Sequence, residues 1–184
     1  MKNAVKKNMV MSNPILNLNI DDERWENVIP SIDVVCEKIL ITATEYLNSI
    51  NVNIGNKKLP ISVNLMLSND DVVHQLNLEF RNKDKPTNVL SFANIDSDDF
   101  EVYLQETDII ELGDIIVALE TLQNEAILKN ISLFAHFSHL FVHGILHLFG
   151  FDHQNDDEAE EMENMEVLIL QKLGINNPYD NCCE

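Results

Sequence analysis

Residues 143–153 read His-Gly-Ile-Leu-His-Leu-Phe-Gly-Phe-Asp-His, and this stretch predicts a helix that carries a metal site. His143 and His147 are four positions apart, so on a helix they lie one turn apart on the same face. Their imidazole nitrogens can then bind one ion at about 2.0–2.1 Å. Gly150 is well suited to end that helix in a left-handed conformation and bring His153 toward the ion. Three protein ligands leave a fourth position for water, which is the arrangement of a catalytic zinc site.

The residue after the first histidine sets the chemistry that this site can perform. The spacing matches that of metzincin zinc proteases, in which a Glu at this position is the general base for the attacking water. This chain has Gly144 there. A peptidase on this scaffold would lack its base, so the motif favours zinc-dependent hydrolysis of another substrate. A zinc protease is the weaker alternative.

Other polar residues near the motif are candidates for supporting roles. His139 shares the helix face, but it lies about 12 Å along the axis from His147, so both cannot readily bind one ion. We expect His139 to be a buried, hydrogen-bonded residue that supports a ligand or packs in the core. Asp152 can act as a base or hydrogen-bond a ligand histidine, and the second role is the one we predict. His136 and His74 lack the spacing and are interpreted as packed or surface residues.

The hydrophobic periodicity predicts an α+β fold. Apolar residues alternate with polar ones in short segments and recur at helical spacing in longer ones. The predicted strands are 16–20, 61–67, 87–93 and 112–117, and the predicted helices are 30–47, 72–80, 118–129, 132–149 and 156–173. The strands come early and the helices late, which favours α+β over a doubly wound sheet. Residues 94–109 are expected to form an acidic loop inserted at the surface.

The length of the chain limits the number of domains that it can form. The chain has 184 residues, which suffice for one domain with a sizeable core and would crowd two. We predict a flexible N-terminal tail over 1–15, a single metal-hydrolase domain over 16–175 and a C-terminal tail over 176–184. The three cysteines are sparse and odd in number, which fits a reducing cytosol better than a disulfide framework.

One segment resembles a transmembrane helix in its length and composition. Residues 131–151 are mostly apolar and long enough to cross a bilayer. They also contain four histidines, and polar groups are costly in hydrocarbon. We therefore predict a buried core helix and no membrane partner.

The charge of the chain is strongly negative. It has 12 basic and 31 acidic side chains, a formal net charge of −19. This balance argues against a general phosphate-binding surface, which relies on Lys and Arg. Five basic residues nevertheless fall in two short segments, which leaves room for a local basic face. They are Lys57, Lys58, Arg81, Lys83 and Lys85. The acids of 156–166 are expected mostly to form the solvated face of a helix.

Arg81 is the second candidate for a catalytic or phosphate-binding role. It follows the apolar Phe80 and opens the segment Arg-Asn-Lys-Asp-Lys-Pro-Thr. A fixed guanidinium can bind a phosphate through two hydrogen bonds and stabilise charge that develops during phosphoryl transfer. Spacing alone does not separate this role from that of an exposed loop arginine.

Three blocks of sequence together resemble the YbeY-type rRNA maturation factors. They are Asn77-Leu-Glu-Phe-Arg81-x-Lys-Asp-Lys-Pro-Thr87-Asn-Val-Leu-Ser-Phe92, Leu112-Gly-Asp-Ile115 and His139-x-x-x-His143-Gly-x-Leu-His147-Leu-x-Gly150-x-Asp-His153. The blocks occur in the family's order, and the resemblance covers roughly residues 15–175. It implies an α+β fold in which a mixed sheet of about four strands lies beside five to six helices.

The resemblance also implies a function. A member of this family is a metal-dependent, single-strand-specific endoribonuclease in 16S rRNA 3′-end maturation and ribosome quality control, in the bacterial cytoplasm. The expected partners are the 16S rRNA precursor, the small ribosomal subunit and its assembly factors. One zinc ion would bind to His143, His147 and His153, and Arg81 becomes the catalytic or substrate-orienting residue. Lys83 and Lys85 are candidates for substrate binding.

The chain departs from the family pattern at two positions. The family usually shows Thr-Asp-Val-Leu-Ser-Phe-Pro, whereas this chain has Asn88 for the Asp and Ala93 for the Pro. Asn keeps the hydrogen-bonding shape but loses the charge, which argues against a metal or base role at that position. The sequence also leaves open a non-enzymatic alternative, an assembly factor whose zinc only holds the C-terminal helices together.

Overall fold

The computed structural model describes residues 13–54 and 59–180. Most of the predicted N-terminal tail, the basic pair Lys57 and Lys58, and the last four residues of the chain lie outside the described residues. The strands are Ile15–Ile20 (β1), Ile61–Ser68 (β2), Val89–Ala93 (β3) and Ile110–Ala118 (β4). The helices are Arg24–Val28 (α1), Ile32–Ser49 (α2), Asp70–Arg81 (α3), Phe100–Glu106 (α4), Leu119–Leu128 (α5), Leu133–Leu148 (α6) and Asp156–Lys172 (α7).

The strands form one mixed sheet in the order β1-β2-β4-β3. β1 and β2 are parallel, β2 and β4 are parallel, and β3 runs antiparallel to β4 as an edge strand. The predicted α+β fold with a four-stranded mixed sheet is therefore confirmed.

Helices cover the two faces of the sheet unequally. Successive strand residues point to opposite faces, so Ile115 and Ile116 of β4 face different helices. On one face α6 packs against Ile115, with Phe141 fully buried and with α2 and α7 beside it. On the other face α3 packs on β3 and β4, where Val73 joins Ile116 in a small separate cluster. The larger core and the histidine helix thus share one side of the sheet.

Two short helices were not expected from the sequence. α1 has only five residues, too few to show a helical repeat. α4 lies within 94–109, which we expected to be an acidic surface loop, and that expectation is wrong. Phe100 and Leu104 are one turn apart on α4 and only 5% and 3% exposed, so one face of the helix is buried. The many acidic residues around Phe100 and Leu104 made this short apolar stripe hard to recognise in the sequence.

No single helix in the described part of the chain is both long and apolar enough to span a membrane. The neighbouring helices α5 and α6 pass that test only as a pair, which is bent by 117° at the break between them.

Trp25 provides a test of the role of α1 in the fold. Its side chain is fully buried, its indole Nε1 donates to the Ser68 carbonyl at 2.9 Å, and its ring lies 5.5 Å from that of Phe137. We expect Trp25→Ala to lower the free energy of unfolding by about 3–5 kcal/mol, because it opens a cavity. Leu128, 85% exposed, is the control, and Leu128→Ala should change stability by less than about 0.5 kcal/mol. Urea unfolding followed by circular dichroism measures both, and equal stabilities would contradict an anchoring role.

Candidate metal centre

The helix α6 and the turn after it bring the three motif histidines together. Ser132 caps the start of α6 by accepting a hydrogen bond from a backbone amide in its first turn. Gly150 follows the helix with φ of +87°, a conformation that favours glycine, and turns the chain back. One nitrogen of each of His143, His147 and His153 then lies within 4.8 Å of the others. The spacing seen in the sequence therefore corresponds to a real cluster.

Hydrogen bonds fix the orientation of two of these imidazoles. His147 Nδ1 lies 2.9 Å from the Phe151 carbonyl oxygen, which can only accept, so this nitrogen is the donor. His143 Nδ1 lies 2.7 Å from a carboxylate oxygen of Glu166 and donates to it in the same way. Each ring then presents an Nε2 lone pair, and the two Nε2 atoms are 3.0 Å apart. Two lone pairs at this distance repel each other unless a cation lies between them.

The donor set fits a zinc ion. Two nitrogens bound to one tetrahedral zinc at about 2.0–2.1 Å lie about 3.4 Å apart, a few tenths of an ångström more than the separation of the two Nε2 atoms. Burial lowers the pKa of the His147 imidazole, and the neighbouring His143 lowers it further. A neutral imidazole is the form that binds metal. This cluster is therefore prepared for a metal ion at neutral pH.

Glu166 is the functional residue that sequence reasoning missed. We expected the acids of 156–166 mostly to form a solvated face, but Glu166 is only 1% exposed. Its carboxylate accepts from His143 Nδ1 and from His139 Nε2, each at 2.7 Å, and it also binds the hydroxyl of Tyr179. Burial alone would raise the pKa of Glu166, but the hydrogen bonds from the two histidines outweigh it and lower the pKa to about 2.

A signal for Glu166 was present in the sequence. It lies four positions after Met162 and three before Ile169, both of which are buried. Glu166 thus occupies a core-facing position of an amphipathic helix, where an acid requires a partner. What the sequence could not give is the identity of that partner, because it lies on another helix.

His139 and Asp152 lie near the cluster in different ways. His139 Nε2 binds Glu166 and lies 3.2 Å from the Tyr179 hydroxyl. Because Glu166 also binds His143, the one carboxylate connects His139 to this candidate ligand. Asp152 accepts from the backbone amide of His153 at 2.8 Å and from Gln154 at 2.6 Å. Asp152 therefore holds the turn that carries His153, and its bond to that residue is made to the backbone.

Arg81 shares a cleft of about 310 Å³ with the histidine cluster. It is the last residue of α3, and its Nη2 donates to the Ser91 carbonyl at 3.2 Å. The cleft is lined by Arg81, Ser91, Ala93, Asp96, His147, Gly150, Phe151, Asp152 and His153. Lys83 and Lys85 are exposed in the segment after α3 and do not line the cleft. The structure thus joins Arg81 to the metal cluster and leaves the two lysines outside it.

Gly144 faces the sheet, where a side chain would be tightly confined. A Cβ at this position would lie 3.0 Å from Ile115 Cδ1 and 3.2 Å from Ser91 Oγ. Both neighbours would have to shift by a few tenths of an ångström to admit the general base of a zinc protease. Close packing of α6 on β3 and β4 thus accounts for the glycine in structural terms.

The other histidines and Asn88 lie outside the cleft. His136 is fully buried with Nε2 2.7 Å from Glu125 Oε2, and burial lowers its pKa. Asn88 Nδ2 donates to both oxygens of Glu125, at 3.1 and 2.9 Å. His74 lies 2.7 Å from the carboxylate of Asp84 at the surface. Asn88 therefore ties the start of β3 to α5, and it does not face the metal cluster.

The chain is similar to known proteins along nearly its whole length. The family model described as Endoribonuclease YbeY matches residues 19–174. A protein named Endoribonuclease YbeY from Francisella tularensis subsp. tularensis strain FSC 198 is 40% identical over 178 residues, which cover 95% of each chain. Its counterpart from subsp. novicida strain U112 is 42% identical over 172 residues, covering 92% of this chain and 94% of the other. The solution structure of TM1509 from Thermotoga maritima shares the fold, with a TM-score of 0.50, 19% identity, and coverage of 92% of this chain and 97% of that one.

The role of Glu166 can be tested through metal affinity. We expect Glu166→Gln to weaken zinc binding about 10- to 100-fold, because the charge that orients His143 is lost. Competition with a chromogenic chelator measures the dissociation constant on the full chain. Glu163→Gln is the matched control, since Glu163 is exposed on the same helix. Equal zinc affinities in the wild type and both variants would contradict the role.

The protease alternative can be tested at Gly144. Gly144→Glu completes the protease pattern, but we expect it to lower the free energy of unfolding by about 1–3 kcal/mol, because the new side chain is forced against the sheet. No cleavage of casein should result. A stable variant that cleaves casein in a chelator-sensitive manner would show that the position faces the metal instead.

Proposed function

The chain belongs to the YbeY family of endoribonucleases, and from that premise we propose that it is a zinc-dependent endoribonuclease specific for single-stranded RNA. We further propose that it acts in 16S rRNA 3′-end maturation and in ribosome quality control. The observation that carries the proposal is the pair of Nε2 atoms of His143 and His147, 3.0 Å apart, beside a cleft that His147 and Arg81 both line. A metal cluster beside a guanidinium suits the hydrolysis of an anionic phosphodiester.

His143, His147 and His153 would hold the ion, and their all-nitrogen donor set suits zinc. When bound by three protein ligands, zinc lowers the pKa of a water at its open position to about 7 and polarises phosphoryl oxygens. Glu166 would keep His143 oriented, and His139 would keep Glu166 in place. Asp152 would hold the turn that presents His153.

Arg81 would bind the scissile phosphate. Its bond to the Ser91 carbonyl uses one of its five donors, so the remaining donors are available to a phosphate. The guanidinium would hold the phosphorus within the cleft and stabilise the charge that develops on its oxygens. Lys83 and Lys85 follow Arg81 along the chain and would bind neighbouring phosphates of the RNA outside the cleft.

The acidic body of the protein favours a large partner over free RNA. With a formal net charge of −19, long-range electrostatics oppose general RNA binding, and contacts with ribosomal proteins would offset this repulsion. We therefore propose the 16S rRNA precursor within the small ribosomal subunit, with its assembly factors, as the substrate. We place this activity in the cytoplasm, which the sparse cysteines fit, and in one domain over 16–175 between two tails.

The test is cleavage of single-stranded RNA by the purified full chain loaded with zinc. His143→Ala should abolish cleavage because a metal ligand is lost. Arg81→Ala should lower kcat about 100- to 1,000-fold because transition-state stabilisation is lost. Its zinc content should stay that of the wild type, because Arg81 is not one of the three clustered histidines that would hold the ion. Removal of zinc by a chelator should stop the reaction, and added zinc should restore it.

Arg24→Ala is the matched control, since the chain has one other arginine and it pairs with Asp22 and Glu120 outside the cleft. This variant should cleave like the wild type. Activity that survives both His143→Ala and Arg81→Ala would refute a nuclease centred on this cleft. If instead Arg81→Ala were inactive on RNA and still restored rRNA maturation in cells, the non-enzymatic assembly factor with a structural zinc would be the better account.

A further inference from the structure

A groove of about 820 Å³ lies on the face of the sheet opposite α6. It forms because α3 packs on β3 and β4, and the rest of that face, toward β1, stays open. Its floor is apolar and includes Met66, Ile116 and Phe92. Phe80 of α3 forms part of the wall and is 60% exposed, with its ring edge-on to Phe92 at 5.3 Å. An exposed aromatic ring beside an apolar floor is suited to a flat ligand.

A polar ladder crosses the groove over three neighbouring strands. Asn17 Nδ2 donates to Asn64 Oδ1 at 2.9 Å, and Asn64 Nδ2 donates to Asp114 Oδ1 at 2.9 Å. The ladder ends at Asp114, which is exposed and offers acceptor atoms to solvent. No Lys or Arg is found among the described residues that line the groove. The groove therefore disfavours a phosphate and favours an uncharged ligand with hydrogen-bond donors.

The groove and the metal cleft meet at the edge of the sheet. Phe80 lines the groove and the next residue, Arg81, lines the cleft. Phe92 likewise lines the groove while Ser91, whose carbonyl binds Arg81, lines the cleft. Because β3 is an edge strand, only one strand separates the two sites, and an extended ligand can pass around it.

We propose that the groove is a nucleobase subsite of the same enzyme. An RNA strand with a phosphate at Arg81 places the adjacent base in the groove, where it stacks on Phe80 and meets the polar ladder. Every base has a face that stacks on an aromatic ring, and this contact is independent of the backbone charge. The inference rests on the proposed nuclease function and adds to it a site for the base beside the scissile phosphate.

The ladder gives this subsite a preference among bases. A carboxylate accepts hydrogen bonds only, so Asp114 favours a base edge that carries an amino group. Cytosine presents an N4 amino donor, and uracil presents a carbonyl acceptor at the same place. The subsite therefore binds cytosine in preference to uracil.

Cleavage kinetics on two single-stranded RNA decamers, one of cytidines and one of uridines, test the proposal with zinc-loaded full chain. Phe80→Ala should raise KM about tenfold on both decamers with kcat nearly unchanged, because stacking binds substrate and transition state alike. Phe80→Trp should restore the KM. Leu78→Ala is the matched control, since Leu78 is 47% exposed on the same helix and does not line the groove. Melting temperatures confirm that all variants fold.

The base preference gives a second readout. The wild type should show a several-fold lower KM for the cytidine decamer, and Asp114→Asn should reduce that ratio toward one, since an amide both donates and accepts. Unchanged KM in Phe80→Ala, with the wild type active, would overturn the subsite and leave the nuclease assignment standing. A wild type that cuts neither decamer would refute the nuclease function itself, and the groove proposal would fall with it.

Discussion

The site depends on the facing Nε2 atoms of His143 and His147, 3.0 Å apart on one side of a buried helix. Each Nδ1 is bound elsewhere, so both Nε2 lone pairs are left to bind a cation. His147 is held by the Phe151 carbonyl of the following turn, and His143 is held by Glu166 of α7. The metal centre is therefore built jointly by a helix, by the turn that ends it and by a carboxylate from a second helix.

The same helix organises the core. α6 is packed against the sheet so closely that a side chain at Gly144 would be in tight contact with Ile115 and Ser91. That contact fixes the position of β3 relative to the histidines, and the carbonyl of Ser91 in turn holds Arg81. Because stability and function share these contacts, a residue such as Gly144, which binds nothing, still determines which chemistry the site can host. The fold thereby disfavours a protease's general base at this position.

Much of the fold could be read from the sequence because its signals are local. Helical and strand periodicities located the four strands and all the long helices, and the spacing of His143, His147 and Gly150 indicated a histidine cluster. The short helices could not be predicted, because a segment of only a few residues shows no hydrophobic periodicity. α1 was not anticipated, and α4 was mistaken for a loop because acids surround Phe100 and Leu104, whose burial depends on the core above them.

The sequence by itself determined the ligand-type residues, their spacing on one helix and the absence of a general base at Gly144, since all of these follow from positions along a single segment. Only the tertiary structure decided which distant side chains complete the site. Glu166 lies in an acidic run and becomes a buried partner because α7 packs on α6. Arg81 looks like a loop arginine until the edge strand β3 brings it into the cleft. Such pairings join segments far apart in the chain, and the packing of helices on a sheet sets them.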